Sequence, residues 1–423
     1  MAFTYDITTS KKDVRSTTCL TISHLLFSVI NLFLSTFLIA HIYSLTDNMF
    51  EYAINVGLYE VSSYAVMLVA YYLFSFIVDK TNRVWIYRIG NILSTALVII
   101  TIFFGKDLAK LIILAGSLYG LSKGAYYSSY NVLKQEMVSR KSMKNFAVVI
   151  IVLTKLVNTI CPILLGMLIE VSTFSMVAIY VFILSVILIV VTFFIKAKRP
   201  QDSNFNVKDY LTRLKTNSEL KNKMKNIYKI CFIYGFTSIV GSLLSVNIMI
   251  HFGSNFSLGI IKGVCTAIAI CMLLLMTKFT KFGKRSGLFV VCSILPAIGV
   301  LIFAFIPNMI TLVAYHIIAT SVDIIVATTF DIIRNRNLKE AGFYQDIAEH
   351  QCITESLFQL ARISSYGMLV LISLFKSFVL FQIAFVVFTL ISYCTMPIML
   401  AKFENKFKSE PAELKIDNNE NIK

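Results

Sequence analysis

The chain has 423 residues, 57% of them hydrophobic and 15% charged, with a net charge of +16 and a mean hydropathy of +0.76. A soluble domain is about half apolar and about a quarter charged, so this balance excludes a disordered chain, a soluble enzyme and a nucleic-acid binder of the usual kind. The eight cysteines are scattered without a CxxC pair or metal-ligand spacing and read as small apolar residues, so no disulfide framework and no metal site is expected.

A membrane helix needs roughly 20 mostly apolar residues. Six segments of the first half meet that requirement, at about 17–44, 54–78, 85–104, 109–131, 145–170 and 174–196. The first is too long for a signal-peptide core and has no small-residue cleavage pattern after it, so it reads as an uncleaved span. Span 4 carries Gly116, Gly120 and Gly124, a small-xxx-small ridge that permits close helix packing, beside Tyr126, Tyr127 and Tyr130. The connection 197–225 is polar and basic. In it Tyr210, Leu211, Leu214, Leu220 and Met224 fall near helical spacing among lysines, which suits an amphipathic helix on the inner leaflet or a solvated charged connector. Six further segments follow at about 226–251, 255–278, 286–306, 308–331, 349–375 and 377–400. The predicted fold is an all-α polytopic membrane protein, with twelve transmembrane helices in two six-helix pseudo-repeat bundles. Its predicted parts are an N-terminal bundle over 1–196, a cytoplasmic basic linker over 197–225, a C-terminal bundle over 226–400 and a charged cytoplasmic tail over 401–423.

Orientation follows from the basic residues. With the N-terminus in the cytoplasm, 32 Lys and Arg fall on the inner side and only Lys106, Lys110 and Lys376 on the outer side. Cytoplasmic loops carry the excess of Lys and Arg, so both termini are expected to be cytoplasmic, in a multi-pass protein of the plasma membrane. The net charge is then a topology signal and implies no nucleic-acid partner.

The halves resemble each other at an offset of about 200 residues. Asp79-Lys80-Thr81-Asn82-Arg83 closes span 2, and Thr280-Lys281-Phe282-Gly283-Lys284-Arg285 closes span 8. Tyr130-Asn131-Val132-Leu133-Lys134 ends span 4, and Phe330-Asp331-Ile332-Ile333-Arg334 ends span 10. Gly166-Met167-Leu168 in span 5 recurs as Gly367-Met368-Leu369 in span 11. Repeats of this kind build transporters whose substrate site lies at the midplane between halves. With cytoplasmic ends and a long central loop, the chain resembles the major facilitator superfamily. That family's loop signature, Gly-x-x-x-Asp-[Arg/Lys]-x-Gly-[Arg/Lys]-[Arg/Lys], is matched by Asp79, Lys80 and Arg83, with Ser75 and Asn82 in place of its glycines. The second copy keeps Lys281, Gly283, Lys284 and Arg285, with Thr280 in place of the acid. Of the antiporter signature Gly-Pro-x-x-Gly-Gly in span 5, Cys161-Pro162 and Gly166 remain. The resemblance implies a cavity lined by spans 1, 4, 7 and 10, and a loop after span 2 that latches the halves on the cytoplasmic side.

Seven charged residues lie inside spans: Glu60, Lys123, Lys155, Lys262, Asp323, Glu355 and Arg362. A charge at the bilayer centre costs from about 3 to more than 10 kcal/mol, so such residues face a watery cavity or one another. Lys123 and Asp323 occupy equivalent places in spans 4 and 10, each about 12 Å from the inner end. They are expected to couple across the cavity, with a fixed structural pair as the alternative. Glu355, Gln359 and Arg362 share one face of span 11, and Lys155 is the repeat mate of Glu355. A carboxylate with a changeable partner suits proton coupling, which makes Glu355 the first candidate proton carrier and Asp323 the second. Arg362 suits an anion anchor or a permanent counter-ion, or a fixed partner of Glu355. Glu60 and Lys262 are placed near outer span ends, where snorkelling is available, and rank below the others. Tyr127 is a candidate substrate contact. His24 and His316 read as hydrogen-bonded packing residues, and no His-Glu-x-x-His, phosphate loop or nucleophile elbow occurs.

The sequence therefore points to a non-enzymatic, cofactor-free and monomeric secondary transporter. It moves a small molecule by alternating access, with proton coupling, and the partial span-5 motif tilts it toward export. A lipid-headgroup flippase on the same scaffold and a non-transporting membrane sensor or scaffold are the alternatives. The cations slightly outnumber the carboxylates, which leans toward anionic or zwitterionic cargo.

Overall fold

The computed structural model describes residues 11–137, 143–197, 205–216, 218–279, 286–340 and 346–407. Over these residues the chain is helical, and no strand occurs among them. Eleven helices are long and apolar enough to cross a membrane, with large side chains such as Ile183, Leu274 and Val379 facing outward. The remaining predicted span, span 4, is the continuous helix Ile112–Met137 and is less apolar than these eleven. Its composition follows from its surroundings: from Ala115 to Leu133 no residue of it is exposed. Helices shielded by protein need not be lipid-soluble, and here glycine, serine and a lysine replace the usual leucines.

The boundaries are set by local chemistry. Span 2, Met49–Lys80, begins at Asn48, whose side chain accepts from the backbone N–H groups of Phe50 and Glu51 at 3.1 and 3.0 Å. Asn82 starts span 3, Arg83–Phe103, by accepting from Val84 N–H at 3.1 Å, and Thr173 does the same for span 6, Phe174–Thr192. Gly253, at φ 63°, closes span 7 in the left-handed conformation and lets the chain turn into span 8, Asn255–Phe279, after a single intervening residue. The remaining spans are span 5, Met143–Val171, span 9, Ser286–Phe305, span 10, Met309–Glu340, and span 11, Ile347–Leu374.

Three spans are interrupted. Span 1 runs as Lys11–Leu32, a π-helical turn at Phe33–Phe37, and Leu38–Tyr43. Span 7 is made of Ser218–Gly235 and Thr237–Phe252, parted at Phe236. Span 12 carries a second π-helical turn at Leu390–Cys394, between Phe378–Thr389 and Thr395–Phe407. Such turns re-aim side chains and recur at functional sites.

Between the halves of the chain, span 2 packs on span 11 and span 5 on span 8. Both seams use glycine near the end opposite the chain termini. A Cβ on Gly259 would lie 2.2 Å from the Pro162 carbonyl oxygen, and one on Gly166 would lie 2.5 Å from that of Asn255. One on Gly57 would meet Val370 Cγ2 at 2.5 Å. Only a missing side chain permits backbones this close. The Gly116, Gly120 and Gly124 ridge is a packing device as well, because each faces the backbone or side chains of span 2.

The predicted linker 197–225 contains the helix Val207–Thr216, and the linker's last residues, from Ser218 on, already belong to the helix of span 7. The amphipathic pattern is thus realised, with Tyr210 and Leu214 buried, but the polar contacts go to the protein. Tyr210 shares hydrogen bonds with Tyr228 Oη at 3.0 Å and His350 Nδ1 at 3.2 Å, Arg213 pairs with Asp346 at 2.5 Å, and Asn206 N–H donates to Glu349 at 3.0 Å.

Candidate functional site

A cavity of about 490 Å³ lies at the centre of the helices. Both halves line it, spans 1, 2, 4 and 5 from one and spans 7, 8, 10 and 11 from the other. Its walls are rich in hydroxyl, amide and imidazole groups, which suits a polar solute rather than a lipid tail.

Glu60 of span 2 is the anion around which the charges gather. It is 4% exposed, and its Oε2 has no hydrogen-bond partner among the described residues. Its electrostatic neighbours are Lys123 of span 4, Arg362 of span 11 and Lys262 of span 8. The span actually starts at Met49, so Glu60 sits eleven residues in, about 16 Å from the helix end. That depth corrects its sequence-based placement near the outer surface. Lys262 does not snorkel either: its ammonium donates to Thr36 Oγ1 in the π-helical turn of span 1, at 3.1 Å.

Tyr64, one turn from Glu60, is held between two cations. Lys123 Nζ stands 4.6 Å from its ring centroid and 3.9 Å from that of Tyr119, while Arg362 Cζ stands 5.0 Å from Tyr64. Contacts of this kind stabilise a desolvated cation by about 2 kcal/mol or more. Arg362 Nε also donates to Ser238 Oγ at 2.9 Å, just beyond the break in span 7. The expected grouping on span 11 is present as a relay: Arg362 Nη1 donates to Gln359 Oε1 at 3.2 Å, and Gln359 Nε2 donates to Glu355 Oε2 at 3.2 Å. Glu355 and Arg362 are therefore joined through Gln359.

The expected coupling of Lys123 with Asp323 is not found. Lys123 interacts with Glu60, Arg362 and Glu355, whereas Asp323 interacts with Lys155 of span 5. The reason is helix adjacency. Span 4 packs on span 2, which brings Lys123 to Glu60 of its own half, whereas Asp323 is met by Lys155 of the other half. Lys155 and Asp323 are both partly exposed and lie outside the lining of the central cavity.

Tyr127 lines the cavity, as expected, while Tyr126 and Tyr130 are buried behind it. His24 accepts or donates through Nδ1 to Tyr126 Oη at 2.8 Å and stacks on Tyr130 at 4.3 Å, a packing role as expected, though it also borders the cavity. His316 differs: it lines the cavity, is 6% exposed, and its Nδ1 has no partner among the described residues. Sequence reasoning missed the role of Tyr64, Tyr119 and His316, since no spacing rule links an aromatic ring to a cation on another helix.

Of the loop motif, Lys80 is exposed with Nζ 3.9 Å from the Phe76 ring, and Arg83 is 7% exposed. The side chain of Asp79 and all of Lys281, Gly283, Lys284 and Arg285 lie outside the described residues. Among the described residues no group of three His, Cys, Asp or Glu is placed to hold a metal ion.

Residues 17–347 match the sequence model of the Major Facilitator Superfamily. No curated protein matches the chain. Among solved structures, a mutant of the nucleoside transporter NupG is similar at 14% identity and a TM-score of 0.65, covering 94% of this chain and 100% of that one. A second crystal structure of NupG gives 11% identity and 0.62 over the same coverage. A D-xylose-proton symporter gives 12% identity and 0.67, covering 93% of this chain and 97% of that one.

Proposed function

The chain belongs to the major facilitator superfamily, and from that premise we propose that it is a proton-coupled secondary transporter of a small polar solute. The two halves, 1–196 and 226–400, rock about the central cavity with both termini in the cytoplasm of a plasma-membrane protein. The observation that carries this reading is the buried charge cluster built across the two halves. Glu60, Lys123 and Tyr64 come from one half, and Lys262, Arg362 and Glu355 from the other. Charges this costly to bury are retained on solute and ion pathways. The polar walls and the surplus of cations suit a solute that carries an anionic or zwitterionic group. The solutes named for the similar structures, a nucleoside and a pentose with a proton, are likewise small and polar.

Glu355 is the proposed proton carrier, because one of its charged neighbours, Lys123, stands on span 4 of the other half and can be withdrawn when the halves move. Proteoliposomes containing a pH dye test this against ribonucleosides, pentoses and small carboxylates. At least one class should produce solute-dependent proton movement. Glu355→Gln should lose it while keeping solute counterflow, since a glutamine cannot release a proton. Proton movement at the parent rate in Glu355→Gln removes this residue from the mechanism.

A further inference from the structure

A second cavity, of about 540 Å³, lies beside the linker helix and away from the central site. Leu211 and Leu214 of the linker form one wall, Phe232 and Ile233 of span 7 another, and Leu357 and Met399 close it from spans 11 and 12. Its rim carries four lysines, Lys215, Lys221, Lys225 and Lys229. All four are exposed, and none has a hydrogen bond or ion pair among the described residues. No carboxylate is among the lining residues.

The arrangement follows from helical spacing. Lys221, Lys225 and Lys229 recur every four residues, so together with Tyr228 and Phe232 they share one face of span 7. The continuous apolar run of span 7 opens at about residue 226, so Lys221 and Lys225 precede it and Lys229 stands near its start. Phe232 lies about six residues into that run, about 9 Å at 1.5 Å per residue. Lys229, about one turn into it, can bend its ammonium back toward the interface along its own apolar stem. The cavity thus has cations at headgroup depth and an apolar floor at acyl-chain depth.

We propose that this groove holds an anionic phospholipid of the leaflet on the side of the chain termini, with its phosphate among the four lysines and one acyl chain against Leu211, Phe232 and Met399. Charge complementarity selects the occupant. A zwitterionic lipid would leave the rim cations uncompensated, and a soluble anion would leave the apolar floor wet. The linker helix is a fixed wall of the site, because Tyr210 and Arg213 tie it to spans 7 and 11. Bound lipid would bridge the linker and span 7, which is also the span broken at Phe236 beside the cavity.

Native mass spectrometry of the full chain, titrated with dioleoyl-phosphatidylglycerol and with dioleoyl-phosphatidylcholine, tests the site. The parent protein should retain phosphatidylglycerol about tenfold more tightly than phosphatidylcholine, a difference of about 1.4 kcal/mol, as a single headgroup charge engaging one or two of the lysines would give. Lys221→Gln, Lys225→Gln and Lys229→Gln combined should abolish that preference. Lys196→Gln, Lys208→Gln and Lys402→Gln combined, three exposed lysines outside the groove, should keep it. Dihexanoyl-phosphatidylglycerol, with the same headgroup and short chains, should bind more weakly. The proposal is overturned if the first triple variant binds like the parent, if the control triple loses the preference equally, or if inorganic phosphate displaces the long-chain lipid, which would mark a plain anion site. All six lysines are exposed, so neither triple variant disturbs the packed core.

Discussion

Glu60→Gln offers a direct reading of how the charge cluster is held. In the parent, Glu60 and Glu355 oppose Lys123, Arg362 and Lys262, and Glu60 interacts with all three cations. Replacing it leaves one buried cation, Lys123, and two half-buried ones, Lys262 and Arg362, with one carboxylate, and Lys262 with none. Stripping one partner from a buried pair costs about 3–5 kcal/mol, because the remaining charge stays desolvated. Lys123→Met removes one cation instead and leaves Glu60 still flanked by Arg362 and Lys262, so its cost should be smaller. In the Glu60→Gln background, Lys123→Met should even recover stability, giving a coupling of about 0.5–3 kcal/mol between the two sites. Unfolding free energies of the purified variants in mixed micelles titrated with SDS provide the measurement. If Glu60→Gln unfolds within about 1 kcal/mol of the parent, or if Lys123→Met costs more, Glu60 is not the counter-ion of the cluster and the charge assignment fails.

Two further outcomes follow from the geometry. Gly259→Ala places a methyl group 2.2 Å from the Pro162 carbonyl oxygen, so spans 5 and 8 must separate by about 1 Å, at an overpacking cost of about 1–3 kcal/mol. Thiol labelling at Thr36→Cys from the side opposite the termini should speed up in that background, and an unchanged rate in a folded protein would mean that the seam does not close the cavity. Asp323→Ala and Lys155→Ala should each slow transport while the double variant recovers thermal stability, whereas additive losses of melting temperature would show that the two charges act independently.

Much of the fold was legible because a bilayer leaves few options. A run of about 20 apolar residues must be a helix, and the basic loops fix which ends lie together. Span 4 was legible too, though it is the least apolar, because the segment is bounded by charged turns at both ends. The site was legible in part. Depth along a span can be counted, so Lys123, Glu355 and Arg362 were recognised as buried. Adjacency between spans cannot be counted, which is why Lys123 was joined to Asp323 and not to Glu60. The start of span 2 was the second failure. Met49 to Ala53 belong to the helix because Asn48 caps it, and that extra turn moves Glu60 from the rim to the interior. The interruptions at Phe33–Phe37 and Phe236 carry no proline or paired glycines, so no residue type announced them.

The sign of the cross-half charges bears on how the polypeptide assembles. At two repeat-equivalent positions the first half carries lysine, Lys123 and Lys155, where the second carries acid, Asp323 and Glu355. The halves are thus electrically unlike, even where they are structurally alike. At those two positions, two copies of the first half docked on each other would bring four lysines together, and two copies of the second would bring four carboxylates together. There, only the union of a first half with a second half brings unlike charges together. That polarity discourages association of half-molecules with their own kind during synthesis, when the first six helices wait in the membrane for the last six to emerge.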